Sequence, residues 1–418
     1  MEDNVMQTVH HLLILLLLVF GAGMISGRLA AWLRVPDVVL FIAAGVLLGS
    51  GLHWISESSS SLVSQLILAV GSALILFDGG RGIRLSGLKE VAITVTLLSI
   101  VGVLVTMGAT GFVIHLVFGL DWTTCLLIGA VISSTDPATI IPVFRQVSVK
   151  RRLRETVESE SAFNDATGSI VTFALLGVIT GGSGSKLNIG SLAGDFLVNA
   201  FGGLAVGIVF ALVALWLVAH DRWGVLREYT ALAMIVVGIG AYLVGDLIGV
   251  SGLMAAFAAG IVWGNSSLFR LPMPEKEAEM GHVADNATVM LRMLIFVLLG
   301  SQVNLKLLGH YLWPSLAVAL ALVFVARPLA VLASALPDRK AKWSRQELLF
   351  MFWVRETGVI PAALSGMIVA RGIEGADQLS AVVFMAIVFT IVVQAGTTAP
   401  WVRKLGLEQT EQKTNFPE

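Results

Sequence analysis

The stretch LIGAVISSTDPATIIPVF, residues 127–144, holds one carboxylate and two prolines inside an otherwise apolar run. Pro137 has no backbone N–H and its ring disfavours the helical conformation at Asp136, so we expect the helix to break at this pair. A second stretch, residues 355–361, reads RETGVIP and interrupts another apolar run. Both runs are therefore predicted to be broken helices with charged residues at the break.

The composition around these breaks is that of an integral membrane protein. Hydrophobic residues make up 56% of the 418 residues and charged residues only 13%, whereas soluble domains carry about a quarter charged residues. Thirteen apolar segments along the chain are candidates for membrane helices, which need roughly 20 residues to cross a bilayer. They are predicted at residues 10–32, 38–54, 61–80, 90–119, 122–144, 156–180, 191–219, 228–246, 250–265, 286–301, 311–336, 346–370 and 377–401.

The basic residues predict the orientation of the chain. Of the 27 Lys and Arg residues, 21 lie in odd-numbered loops or the C-terminal tail and three in even-numbered loops. The positive-inside rule then places the N-terminus outside the cell membrane and the C-terminus in the cytoplasm. Residues 1–405 are expected to form a single transmembrane unit, and residues 406–418 a short cytoplasmic tail. The net charge of -1 indicates no nucleic-acid partner, and no soluble protein partner is evident.

The order of the segments suggests an inverted internal repeat. If segment 7 is a connector, segments 1–6 and 8–13 form two six-helix halves that are offset by seven segments. Because seven is odd, equivalent segments cross the membrane in opposite directions, and the second half is inverted. Segment 5 then corresponds to segment 12, and both are interrupted. Interrupted segments at equivalent positions of inverted halves indicate the binding site of a transporter. Alternatively, the prolines only kink helices that pack against their neighbours.

Two acidic residues inside apolar segments are the first candidates for ion binding. Asp136 lies at the break in segment 5, and Asp165 lies in segment 6, where Ser161 shares its helix face one turn earlier. An isolated charge at the centre of a membrane costs at least ~3 kcal/mol on insertion scales, and such residues usually mark ion or proton paths. Because small and apolar residues follow Asp165, we expect it to be the principal site. Alternatively, both carboxylates only neutralise intramembrane arginines.

The predicted break also offers backbone ligands. The carbonyl groups near Ser134 and Thr135 are expected to lack helical partners, because Pro137 interrupts the hydrogen-bond ladder. Carbonyl oxygens beside a carboxylate form an oxygen-only site, which suits Na⁺, Li⁺ or K⁺. Clustered His and Cys ligands are missing from the sequence, which argues against zinc or copper.

Three arginines, Arg292, Arg327 and Arg355, lie inside predicted helices. Arg327 is the leading partner for Glu160, and such a buried pair is structural, because losing one partner leaves an uncompensated charge that costs ~3–5 kcal/mol. Arg355 lies at the break in segment 12, where it balances either the helix end or Glu356. Arg292 is near enough to a segment end to reach the interface.

These motifs together resemble the electroneutral branch of the monovalent cation:proton antiporters, which includes prokaryotic NhaP-type proteins and the eukaryotic sodium/proton exchangers. The resemblance covers nearly the whole chain. It is carried by LFDGG at 76–80, STDP at 134–137, ESAFND at 160–165, the run 253–265, ARPL at 326–329 and VVQ at 392–394.

The resemblance implies an all-α polytopic fold of about 13 transmembrane helices, similar to NhaA and NhaP antiporters, in which interrupted helices 5 and 12 cross. It implies a homodimer in membrane lipid. Segments 1–3 and 8–10 would form the dimerisation part, and segments 4–6 and 11–13 the ion-transporting core. It further implies a transporter rather than an enzyme, with no catalytic residues and no cofactor, that exchanges Na⁺, Li⁺ or K⁺ for H⁺.

The same resemblance assigns residue roles. Asp165 is implied to bind the cation and the proton competitively, in an electroneutral one-for-one exchange. The implied metal ligands for Na⁺ or K⁺ are Asp165, Asp136, Thr135 and Ser161. Asn164, beside them, replaces the second aspartate of electrogenic relatives, and Glu160 pairs with Arg327.

Segment 12 departs from the family pattern. The family's Gly-Leu-Arg-Gly run corresponds here to residues 355–358, and alignment on Gly358 places Thr357 at the arginine position. Arg355, Glu356 and Thr357 are therefore candidate modulators of selectivity or coupling. A K⁺-selective K⁺/H⁺ antiporter of the same family is the alternative reading.

Other function classes have less support. A cation channel would normally show a repeated pore motif, and a sodium-coupled symporter would need a pocket for an organic solute. An intramembrane aspartyl protease needs a Gly-x-Gly-Asp run, and the nearest run, ending at Asp246, lacks the first glycine. Asp78 and Asp246 fall at segment ends and are predicted to lie at the membrane interface.

Overall fold

The computed structural model describes residues 2–33, 35–88, 90–136, 149–181, 189–219, 227–271 and 277–408. The helices in chain order are α1 (Glu2–Leu33), α2 (Asp37–Gly51), α3 (Leu62–Gly82), α4 (Ala92–Phe118), α5 (Trp122–Val131), α6 (Arg151–Thr180), α7 (Ile189–Ala219), α8 (Thr230–Leu247), α9 (Gly252–Gly264), α10 (Glu277–Ser301), α11 (Leu305–Ala335), α12a (Arg345–Trp353), α12b (Val359–Val369) and α13 (Ala376–Lys404). In the described residues, nine of these helices are long and apolar enough to cross a membrane. The predicted all-α membrane fold is confirmed, whereas the count of thirteen spans and the inverted repeat stay predictions.

Helix boundaries differ from the predicted ones where polar residues begin a helix. α6 starts at Arg151 rather than at residue 156. Its first turns are stabilised by ion pairs one turn apart, Arg151 with Glu155 at 2.7 Å and Arg154 with Glu158 at 2.8 Å. Hydropathy alone cannot detect such a turn, because the residues that stabilise it are charged.

The break predicted in segment 12 is present, and α5 ends before the break predicted at Asp136 and Pro137. α5 begins at Trp122, where the Asp121 carboxylate accepts the Thr123 N–H at 2.9 Å, a bond that lowers the pKa of Asp121. It ends at Val131, and residues 134–136 are irregular. Residues 354–358 separate α12a from α12b. Pro137 and Pro142 lie outside the described residues.

Close helix contacts position α3 beside these breaks. α3 packs tightly against α9, because Gly80 lies against the Phe257 carbonyl and Gly260 against the Phe77 carbonyl. α3 also contacts α6 and α12b, and α10 contacts α12b. α3 and α10 therefore face the helices that carry the polar residues.

The residues after α13 pack near the start of α6. Leu407 is buried in the same hydrophobic cluster as Val149 and Leu153, and Glu408 forms an isolated β-bridge with Val149. Residues 409–418, the rest of the predicted tail, lie outside the described residues.

Candidate ion-binding site

The irregular end of α5 and the interrupted helix α12 meet through Asp136. The Asp136 N–H donates to the Glu356 carbonyl at 2.9 Å, and the Val359 N–H donates to Asp136 Oδ2 at 3.3 Å. The carboxylate thus lies at the N-terminal end of α12b, where the helix dipole favours negative charge. Asp136 therefore contacts the break in α12 through its main chain and the start of α12b through its carboxylate.

Arg355 lies at the opposite helix end. Its Nη2 donates to the Ile132 carbonyl at 2.5 Å, just beyond α5, and its Nη1 donates to Thr357 Oγ1 at 3.3 Å. The C-terminal end of a helix carries partial negative charge, which a guanidinium group stabilises. Only 2% of Arg355 is exposed. The predicted partners were the end of helix 12 and Glu356, whereas the hydrogen bonds observed are to the end of α5 and to Thr357.

Asp165 on α6 is buried beside this junction. Its carboxylate atom Oδ1 is buried and has no hydrogen-bond partner within the part of the chain that the structure describes. A buried oxygen without a partner is unfavourable, and a bound proton or cation satisfies it. Asp165 and Asp136 both line a cavity of about 530 Å³. The two acidic residues therefore share one cavity.

The other predicted residues connect α6 to the irregular end of α5. Thr135 Oγ1 and Ser161 Oγ are 2.7 Å apart. The Asn164 amide accepts the Thr135 N–H at 3.1 Å and donates to Thr135 Oγ1 at 2.9 Å. The structure therefore brings all five predicted site residues together, with the Asn164 side chain engaged in holding Thr135.

Glu160 and Arg327 form a buried bidentate ion pair. Arg327 Nη1 donates to Glu160 Oε1, and Nη2 donates to Oε2 at 3.0 Å. Arg327 also donates to the Met351 carbonyl at 2.7 Å and to the Val354 carbonyl at 3.1 Å. These carbonyls lie at the C-terminal end of α12a, so the ion pair connects α6 and α11 to the interruption in α12.

Two further polar residues make contacts that the sequence did not predict. Asp78 lines the same cavity as Asp165, pairs with Arg81 at 2.7 Å and accepts from Thr288 Oγ1 at 3.1 Å. The only sequence signal for such a role was the motif that contains Asp78, LFDGG. Arg292 is buried and pairs with Asp37, at the start of α2, at 2.9 Å. The interfacial positions of both residues stay predictions.

The sequence matches the family model described as "Sodium/hydrogen exchanger, transmembrane" over residues 14–404. The chain belongs to this family. A similar relative of the exchanger, Na(+)/H(+) antiporter 1 of Methanocaldococcus jannaschii, is 31% identical over 368 residues, which cover 86% of this chain and 83% of the relative. K(+)/H(+) antiporter NhaP of Alkalimonas amylolytica is 30% identical over 94% of this chain and 66% of the relative.

A solved structure has the same architecture as the exchanger. The structure of the sodium proton antiporter MjNhaP1 from Methanocaldococcus jannaschii at pH 8 superposes with a TM-score of 0.80 at 28% identity, covering 96% of this chain and 99% of that one. The resemblance inferred from the motifs is confirmed. The exchanger is a membrane transporter, not an enzyme, and it exchanges a monovalent cation for protons.

The contact between Gly358 and Asp136 yields a testable prediction. A methyl group at Gly358 would overlap the Asp136 side chain. Overpacking typically costs ~1–3 kcal/mol, so we expect Gly358→Ala to displace Asp136 and lower exchange about tenfold. Proton flux in reconstituted vesicles measures the effect. Gly177→Ala, which meets no atom within 4 Å, is the control and should retain activity; wild-type flux in Gly358→Ala would contradict the prediction.

Proposed function

We propose that the exchanger carries one monovalent cation or one proton at a time on Asp165. The observation that supports this is the buried Asp165 Oδ1, which has no hydrogen-bond partner in the described ranges and belongs to a residue lining the cavity. A carboxylate that binds either ion, but not both, couples the two fluxes. Exchange is then one for one and electroneutral.

The cation ligands in this proposal are all oxygens. Asp165 and Asp136 supply carboxylates, and Thr135 and Ser161 lie within 2.7 Å of each other beside them. Oxygen ligands suit Na⁺, Li⁺ or K⁺. Asn164 cannot ionise, so Asp165 is the member of the Asn-Asp pair whose charge changes. The named relatives include both an Na(+)/H(+) and a K(+)/H(+) antiporter, and the preferred cation is an outcome of the transport measurement.

The cavity supports an access route from the cytoplasm. Its lining includes four arginines that the positive-inside rule places on the cytoplasmic side. They are Arg81, Arg84, Arg151 and Arg154. We therefore propose an orientation with the N-terminus outside the cell membrane and the C-terminus in the cytoplasm, and a cavity that opens inward.

The packing of the helices supports movement of one part against another. α4 contacts α5 and α11, and α11 contacts α13, while α2 contacts α10 and α3 contacts α9. We propose that α4–α6 and α11–α13 form the moving core. α1–α3 and α8–α10 form the dimerisation part of a homodimer, and residues 406–418 a short tail.

Vesicles containing a trapped pH dye test the exchange. With an acidic interior, external Na⁺, Li⁺ or K⁺ is added separately, and the interior is expected to become alkaline with at least one of them. The same traces identify the preferred cation. Cation flux without proton movement would indicate a channel and refute the proposal.

Electroneutrality has its own test. One positive charge moves in each direction per cycle, so we expect the initial rate at saturating cation to be independent of membrane potential. A thiocyanate gradient imposes the potential without adding a transported cation. A rate that rises or falls with the potential would contradict one-for-one exchange.

A further inference from the structure

Two polar side chains of α13 reach the unwound part of α12. Thr390 and Gln394 belong to a π-helical turn, Thr390–Ala395, and both side chains are fully buried. The Thr357 N–H donates to Thr390 Oγ1 at 2.9 Å, and Gln394 Nε2 donates to the Trp353 carbonyl. α13 therefore forms hydrogen bonds with residues at both ends of the break between α12a and α12b.

These hydrogen bonds replace main-chain hydrogen bonds that are lost where α12 is interrupted. A helix end leaves N–H and C=O groups without partners in the helix, and buried backbone groups are almost always paired. Thr390 donates its own hydroxyl hydrogen to the Ala386 carbonyl at 2.7 Å, which leaves a lone pair to accept the Thr357 N–H. π-Helical turns often occur at functional sites, where they change which side chains face a neighbour.

The segment that Thr390 and Gln394 contact, residues 354–358, is continuous with the proposed ion-binding site. Thr357 is followed by Gly358 and then by Val359, whose N–H donates to Asp136 Oδ2 at 3.3 Å. Asp136 also donates its own N–H to the Glu356 carbonyl at 2.9 Å. A shift of residues 354–358 therefore moves Asp136 relative to Asp165.

We propose that Thr390 and Gln394 are positioning residues that hold residues 354–358 in the conformation that places Asp136 opposite Asp165, and thereby set the affinity for the cation. This inference rests on the ion-binding site proposed above. Both residues act through the position of Asp136, a proposed cation ligand, so we expect a larger effect on the apparent KM than on the maximal rate.

Substitution of Thr390 separates this role from simple packing. Thr390→Val keeps the shape and removes the acceptor, and we expect it to raise the apparent KM for the cation about tenfold, with a smaller change in maximal rate. Thr390→Ser keeps the hydroxyl and should restore the KM to within about twofold of wild type. Thr110→Val is the matched control, because the buried Thr110 hydroxyl donates to the Thr106 carbonyl of its own helix, α4, and its loss should leave the KM unchanged.

Gln394→Met provides a second variant if Thr390→Val does not fold. It removes the donor to the Trp353 carbonyl with little change in length, and we expect the KM to rise in the same direction. An unchanged KM in either folded variant overturns the inference, as does a Thr390→Ser variant as impaired as Thr390→Val.

Asp165→Asn, measured alongside, separates the two proposals. If it still exchanges ions, the proposed function fails; if it is inactive while KM in Thr390→Val is unchanged, only this inference fails.

Discussion

Replacing Asp165 with asparagine is expected to reduce cation-dependent proton flux to the level of empty vesicles. The carboxamide has nearly the same shape but can neither ionise nor hold a transported proton. Because Asp165 Oδ1 is buried without a hydrogen-bond partner in the described structure, removing the carboxylate should not weaken the fold. We expect normal insertion and a Tm at least as high as that of the wild type.

Asp246→Asn is the matched control for this substitution. Asp246 is an exposed carboxylate at the end of α8, away from the cavity. Its neutralisation changes the net charge by the same amount and should leave exchange intact. Retained exchange in Asp165→Asn would move the ion-binding site to another residue.

Replacing Arg327 with methionine is expected to cause the largest loss of stability. The change leaves Glu160 buried without its partner, which costs ~3–5 kcal/mol. It also removes the donors to the Met351 and Val354 carbonyls at the end of α12a. We expect a lower yield of folded protein, a lower Tm in detergent and little remaining transport.

The double variant Glu160→Leu with Arg327→Met tests the cause of that loss. Removing both charges abolishes the uncompensated carboxylate, so the Tm should recover in part relative to Arg327→Met alone. Arg151→Met is the control, because the solvent-exposed pair of Arg151 with Glu155 contributes little to stability. A double variant no more stable than Arg327→Met would show that the lost backbone bonds, not the charge, dominate.

The interruption of α12 was predictable because its cause is local: the run ending at Pro361 marks it through the geometry of a single residue and its neighbours. α5 ends at Val131, before the Asp136-Pro137 pair at which the break was predicted, and Pro137 lies outside the described residues. The shared face of Ser161 and Asp165 follows in the same way from helix periodicity. Sequence alone therefore suffices to place residues that lie within a few positions of one another along the chain.

Contacts between distant helices were predictable only in part. Glu160 and Arg327 could be matched because few intramembrane charges were available, and the structure pairs them. The bond from Arg355 to the Ile132 carbonyl joins two broken helices, and no sequence pattern distinguishes it from a bond within α12. The cavity beside Asp78 was missed for a similar reason. Hydropathy locates Asp78 near a segment end, but it does not reveal the cavity that extends from that end toward Asp165.

The contact between α3 and α9 limits how the cavity can change shape. At Gly80 and Gly260 the main chains of the two helices touch, so neither helix can advance toward the other. Sliding along this contact would bring a bulkier side chain onto a carbonyl oxygen, because only glycine leaves room there. We therefore expect α3 and α9 to move as one rigid body. We therefore expect the passage to Asp165 to widen or narrow by displacement of α6 and α12b, which line its other side, relative to the α3–α9 pair.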